Sequence, residues 1–208
     1  MEQEALFPLV LSVLARSGRQ EIRERFGLQS CIVSTRIVID VFKRYGIMGR
    51  PLAVRTIASY GDYAVVLGSV DGTPGKPAMW NGGAAGHLVT ILPGKNLLID
   101  ASIDQLDFAR FGIDTLPCPF VAEVSDAFID GIASAYFSVE GCALVYQPHS
   151  LPAAVLKTRE WKSKTPSGSV VARICAEIEN ARPLTSKEFK SRYPNAYAYC
   201  GKRERSNS

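Results

Sequence analysis

Gln29-Ser-Cys-Ile-Val-Ser-Thr-Arg-Ile-Val-Ile-Asp-Val-Phe-Lys-Arg-Tyr45, followed by Gly46, is the stretch around which the rest of the chain is organised. Ile32, Val33, Ile37, Val38, Val41, Phe42 and Tyr45 recur at three- and four-residue steps, so the spacing predicts a helix with one broad apolar face. Ser30 stands in the N-cap position, and Gly46 after the basic pair Lys43-Arg44 is a C-terminal stop. β-Branched residues are mediocre helix formers, so burial of that face must hold the helix. Cys31 falls in its first turn, where backbone N–H groups lack partners and the positive dipole end favours thiolate over thiol. Cys31 is therefore a candidate nucleophile. The competing reading is a small buried hydrophobe, the usual role of a free cysteine.

A hairpin provides the partners that such a thiol needs. Leu88-Val-Thr-Ile-Leu92 and Leu97-Leu-Ile-Asp100 are apolar, β-rich runs joined by the turn Pro93-Gly-Lys-Asn96. With a two- or four-residue loop, Leu92 opposes Leu97, Val89 faces Asp100 and His87 faces Ser102. Side chains alternate along a strand, so His87, Val89, Asp100 and Ser102 then share one face. His87 and Asp100 become diagonal neighbours with backbones about 7–8 Å apart, within side-chain reach. A three-residue loop would send Asp100 to the opposite face. Singly, His87 reads as a structural histidine bonded to a backbone carbonyl, and Asp100 as a strand-end cap. Together with Cys31 they read as a relay: the carboxylate orients the imidazole, and the imidazole accepts the thiol proton.

Elsewhere the pattern gives a helix over 4–16, in which 6–14 is amphipathic, and a short helix over 19–26. Strands are expected at 51–59, 63–70 and 141–147, a Gly/Pro loop at 71–77, a polar linker at 161–169 and a helix over 170–181. Residues 201–208 have the composition of a disordered tail. No internal repeat is present. The fold class is α+β, with a Cys-bearing helix near the N-terminus packed on an antiparallel sheet. The domain boundary is expected near 155, giving a domain over 1–155 and a basic helical extension with its tail over 156–208.

Composition narrows the function classes. The chain has 208 residues, 47% hydrophobic and 21% charged, which is ordinary for a globular domain. Its acidic start, Met1-Glu2-Gln3-Glu4, is unlike a signal peptide, and no apolar run nears bilayer length, so a cytoplasmic location with no membrane association is expected. The five cysteines contain no Cys-x-x-Cys pair, which argues against a disulfide framework or a zinc site. Only two histidines exist, His87 and His149, and His149 lies in a Pro148-His-Ser turn that reads as surface. The charge is uneven: residues 155–208 carry 12 Lys+Arg against 5 Glu, whereas the rest of the chain is net acidic. Basic residues there alternate with Trp161 and several tyrosines, a pattern that can hold nucleic acid but is more commonly a solvated face.

Cys31 opening a helix that ends in Arg44-Tyr-Gly-Ile47, a strand after it, then Gly86-His-Leu-Val89 and Leu97-Leu-Ile-Asp100, resembles the transglutaminase-like branch of the papain-like fold. That group includes arylamine N-acetyltransferases, transglutaminase-like peptidases and leader peptidases. The resemblance covers roughly residues 25–105. It implies Cys31 as nucleophile, His87 as general base and acid, and Asp100 as the orienting carboxylate. The implied chemistry is peptide, isopeptide or amide hydrolysis, or acyl transfer, on a peptide or protein substrate, with no cofactor. Ile32 replaces the aromatic usual after the group's cysteine, and Leu88-Val89 replaces a frequent Ala-Trp. The oxyanion donors would be the Cys31 N–H with Gln29 or Trp80. The alternative is a catalytically silent binding module of the same fold, recruited to a protein or nucleic acid.

Overall fold

The computed structural model describes residues 3–14, 31–68, 79–80, 83–84, 87–106, 118–139, 141–149, 159–162 and 164–181, with isolated positions at 20, 22, 24, 185, 187, 188 and 191. In chain order the elements are α1 (Gln3–Val13), α2 (Cys31–Arg44), β1 (Arg50–Tyr60), β2 (Tyr63–Leu67), β3 (Met79–Trp80), β4 (Gly83–Ala84), β5 (His87–Leu92) and β6 (Leu97–Asp100). They continue with β7 (Phe120–Glu123), α3 (Asp126–Ile129), β8 (Ala135–Val139), β9 (Cys142–His149), α4 (Arg159–Lys162) and α5 (Lys164–Asn180). The architecture is α+β.

Strand β1, 11 residues long and rich in Val, Ile and Thr, is the hub of the sheet. Along one edge it pairs first with β5, through Arg50–Val54, and then with β2, through Thr56–Tyr60. Its other edge pairs with β9 from Ala53 to Ser59. The sheet runs β7-β6-β5-β1-β9-β8, with β2 on β1, and the pairings are antiparallel. Strands β3 and β4 form a separate small hairpin.

The β5–β6 register follows the expectation from sequence. Leu92 opposes Leu97 and Thr90 opposes Ile99. Pro93–Lys95 make one 3₁₀ turn, and Asn96 closes it in the left-handed region at φ 51°, a conformation asparagine tolerates. The loop therefore has four residues, and Asp100 falls on the His87 face.

Each face of the sheet covers a core. On one face, α1, α2 and α5 pack over Leu92, Leu97, Ile99 and Val121. On the other, Val54, Val89, Ile91, Leu98, Phe120, Leu144 and Tyr146 pack under α3, which contributes Phe128 and Ile129. Helix α2 buries Val33, Ile37, Val38, Val41 and Phe42, the apolar face anticipated from the spacing. Gly46 ends it at φ 75°, with Gly46 N–H donating to Lys43 O and Ile47 N–H to Phe42 O, the paired bonds of a glycine stop. Thr35 Oγ1 donates to the Leu88 carbonyl at 2.8 Å and ties the helix to β5.

Three expectations change. Helix α1 is not amphipathic: Phe7, Leu9, Val10, Leu11, Val13 and Leu14 are all buried, because α2 and α5 enclose it. The segment read as a linker over 161–169 lies largely in α4 and α5, and α5 begins six residues before the expected start at 170. The helical part of the 156–208 extension also belongs to the main core, since Val170, Ile174 and Ile178 join the cluster of α1 and α2. The helix expected over 19–26 falls mostly outside the described residues, as do the 71–77 loop and the 201–208 tail. No helix among the described residues is long and apolar enough to cross a membrane.

Candidate active site

The site is assembled where the first turn of α2 meets the start of β5: Cys31 rests on the α2 side of the sheet, and His87, Asp100 and Tyr146 project from the other face. Helix α2 begins at Cys31, so the Cys31 N–H is one of the amides that an α-helix leaves without an internal partner. Cys31 is partly exposed and, with Ile32, packs against Ala53 of β1 and Leu88 of β5. His87 is the residue before Leu88 and the first of β5.

His87 and Asp100 are 2% and 0% exposed, and His87 Nε2 lies 2.7 Å from Asp100 Oδ2. The carboxylate can only accept, so Nε2 carries the proton and Nδ1 is the ring atom left for Cys31. Asp100 is itself held on both oxygens. Oδ1 accepts the Ser102 N–H at 3.0 Å, and Oδ2 also accepts the Tyr146 hydroxyl at 3.0 Å. Three donors on one buried carboxylate fix its orientation toward His87.

Burial opposes the charged imidazolium, but the Asp100 carboxylate and its hydrogen bond more than offset that, with a smaller contribution from Cys31. Together they raise His87 from 6.5 to about 10. Nδ1 has no partner at full hydrogen-bond geometry among the described residues. Cys31 nonetheless lies close enough to contribute to the raised affinity of the imidazole for a proton, and catalytic contacts of this type commonly tighten when substrate binds.

Tyr146 was not singled out from sequence. Its ring stacks on Phe120 at 5.9 Å between centroids and meets Phe137 edge-on, which locks the hydroxyl toward Asp100. Burial and the neighbouring carboxylate push that hydroxyl well above its usual pKa, so it stays a donor. The inward alternation of Cys142, Leu144 and Tyr146 is legible in the chain, whereas the pairing that sets Tyr146 opposite Thr56 is not.

Of the other sequence candidates, Gln29 lies outside the described residues, as does Ser30. Trp80 is placed by its backbone in β3, opposite Gly83, and its side chain lies outside the described residues. His149 is not in a surface turn: it ends β9 opposite Ala53, and both ring nitrogens are buried. Cys118, Cys142 and Cys175 are buried. Among the described residues no group of three His, Cys, Asp or Glu side chains is arranged to hold a metal ion.

No protein-family model matches the chain, and neither a curated protein nor a solved structure matches it. The assignment of function therefore rests on the site's own chemistry.

Proposed function

We propose that the chain is a thiol-dependent acyl enzyme of papain-like, transglutaminase-like type, acting on peptide, isopeptide or related amide bonds through an acyl-enzyme at Cys31. The observation that carries this reading is the buried His87–Asp100 pair at 2.7 Å, set where Cys31 raises the imidazole's affinity for a proton. A merely structural histidine has no need of a thiol neighbour at a helix start.

The Cys31 thiolate attacks the carbonyl carbon, and the carbonyl π electrons move to oxygen. The Cys31 N–H donates to that oxyanion at the positive end of α2. The tetrahedral centre collapses, the C–N bond breaks, and His87 gives its proton to the departing amine. A thioester remains. Water, or an acceptor amine in a transfer reaction, loses a proton to His87 as it attacks, and the thiolate leaves. Asp100 keeps the ring in the tautomer and orientation that both proton transfers require, and the steps use only this chain, the substrate and water.

The test is the rate of iodoacetamide alkylation at Cys31, mapped by peptide mass spectrometry, in wild type, His87→Ala and Asp100→Asn. Wild-type Cys31 should react fastest of the cysteines near neutral pH, and both substitutions should slow it at least several-fold. Equal, slow labelling in all three proteins would leave a silent binding module, with the basic C-terminal region as the first place to look for its partner. A positive result is followed by a screen of peptide, isopeptide and ester substrates for acyl-enzyme formation.

A further inference from the structure

A second set of polar side chains lies beside Cys31 and takes no part in the steps above. On β1, Ala53 faces Leu88 of β5 on one edge and His149 of β9 on the other, while Arg55 faces Gln147. Directly opposed residues share a face, and so do alternate residues of one strand, so Leu88, Ala53, Arg55 and His149 lie on the same side of the sheet. That side carries α2. Ala53 and Leu88 are the residues against which Cys31, Ile32 and Trp161 pack, so His149 stands one strand away, roughly 5 Å, from the seat of the thiol.

Three polar atoms of this pair are unmatched. Arg55 Nε and both ring nitrogens of His149 are buried without a hydrogen-bond partner among the described residues. Native folds rarely leave such groups orphaned, and an unmatched guanidinium N–H is costlier than a neutral donor. The two side chains are also close to one another: after burial, the Arg55 charge is what lowers the His149 pKa. A half-buried guanidinium with its Nε–H buried, beside an imidazole with both nitrogens buried, leaves at least two N–H donors for an incoming acceptor.

We propose that Arg55 and His149 form a subsite for a carboxylate of the peptide substrate, next to the bond that Cys31 attacks. The planar guanidinium suits a planar, singly charged carboxylate, which would accept from Arg55 Nε–H and from one His149 N–H. The carboxylate is either an acidic side chain or the free C-terminus of the substrate. This subsite rests on the thiol chemistry proposed above and deepens it by naming the charge that the enzyme selects.

The test uses three alkylating probes that differ only in charge: iodoacetyl-Glu amide, iodoacetyl-Gln amide and iodoacetyl-Gln as the free acid. Each forms a thioether with Cys31 and releases iodide. One acidic probe should label wild-type Cys31 about five- to tenfold faster than iodoacetyl-Gln amide, and the acid that wins identifies the source of the carboxylate. Arg55→Gln should abolish the acid-over-amide ratio, Arg55→Lys should retain part of it, and His149→Gln should reduce it. The ratio is internally normalised, so it reads the subsite even if overall reactivity falls, and His149→Gln serves should Arg55→Gln not fold. A ratio near one in wild type, or an acid preference that survives Arg55→Gln, overturns the subsite. The thiol chemistry fails by a different reading, iodoacetamide labelling indifferent to His87→Ala.

Discussion

Asp100 receives Nε2 of His87, the hydroxyl of Tyr146 and the N–H of Ser102, so each donor's removal has its own signature. Tyr146→Phe keeps the ring and its stacking but deletes one donor to a buried carboxylate. It should cost about 1–3 kcal/mol in urea unfolding, and it should slow Cys31 alkylation by less than His87→Ala does. A stability loss with no change in labelling would make Tyr146 a packing residue only. The raised pKa of His87 sets a pH dependence of definite sign. Its folded value lies above the unfolded one, so the native state binds the proton more tightly. The resulting stability is complete below 6.5 and drains away as pH rises through about 10. The wild-type minus His87→Gln unfolding free energy should therefore be greatest near the acid end of that window and shrink toward its alkaline end. Taking the difference cancels Cys142, Cys175 and Tyr146, whose protons are also held by burial in both proteins. A difference that grew with pH would mean that His87 is buried neutral.

At the level of the elements, α2 reaches the site through its grip on β5. Thr35 lies one turn beyond Cys31, and its hydroxyl bonds the carbonyl of Leu88, the neighbour of His87. Thr35→Val should cost about 1–2 kcal/mol and should also lower the Cys31 labelling rate, because the helix start is then free to shift against β5. Unchanged labelling would show that packing alone sets the distance. These same elements were the most legible in the chain. The three- and four-residue period drew α2 with its glycine stop, and the apolar runs around Pro93–Asn96 gave the register that put His87 and Asp100 on one face. Strand β8 and helix α3 were not legible. The burial of β8 alternates but its residue types do not, because the large Tyr136 stands on the exposed face, and α3 is a single turn defined by its Ser125 cap rather than by any period. Tyr146 and the Arg55–His149 pair escaped for a related reason: both depend on β9 pairing with β1 across about 90 residues, and no local pattern encodes that choice.

For the molecule as a whole, β1 is the one strand shared by all parts of the site. Its first half carries Ala53 beside Cys31 and Val54 opposite His87, and its second half sets Thr56 against Tyr146. Charge was misleading at this scale. The excess of Lys and Arg after residue 155 marked that region as an appendage, yet α5 presents Val170, Ile174 and Ile178 to the core while keeping Arg173 and Glu177 outside. The basic excess lies for the most part outside α5, whose own Lys164 and Arg173 are matched by Glu177 and Glu179, so a charge count over the whole region hides a core helix within it.

The closure of that core by α5 has a consequence for how the protein is made. Tyr45, at the end of α2, donates its hydroxyl to the Cys175 carbonyl across 130 residues of chain. At roughly 5–20 residues per second of translation, α1 and α2 wait about 7–26 seconds before the helix that covers them is made. Until then the part of their apolar surface that Val170, Ile174 and Ile178 cover is bare, and only the sheet shelters α2. Ribosome-stalled chains that end before Val170 should be cut readily by protease at α2, and chains extended well past Ala181 should resist. Equal resistance in both would mean that the sheet alone shelters α2.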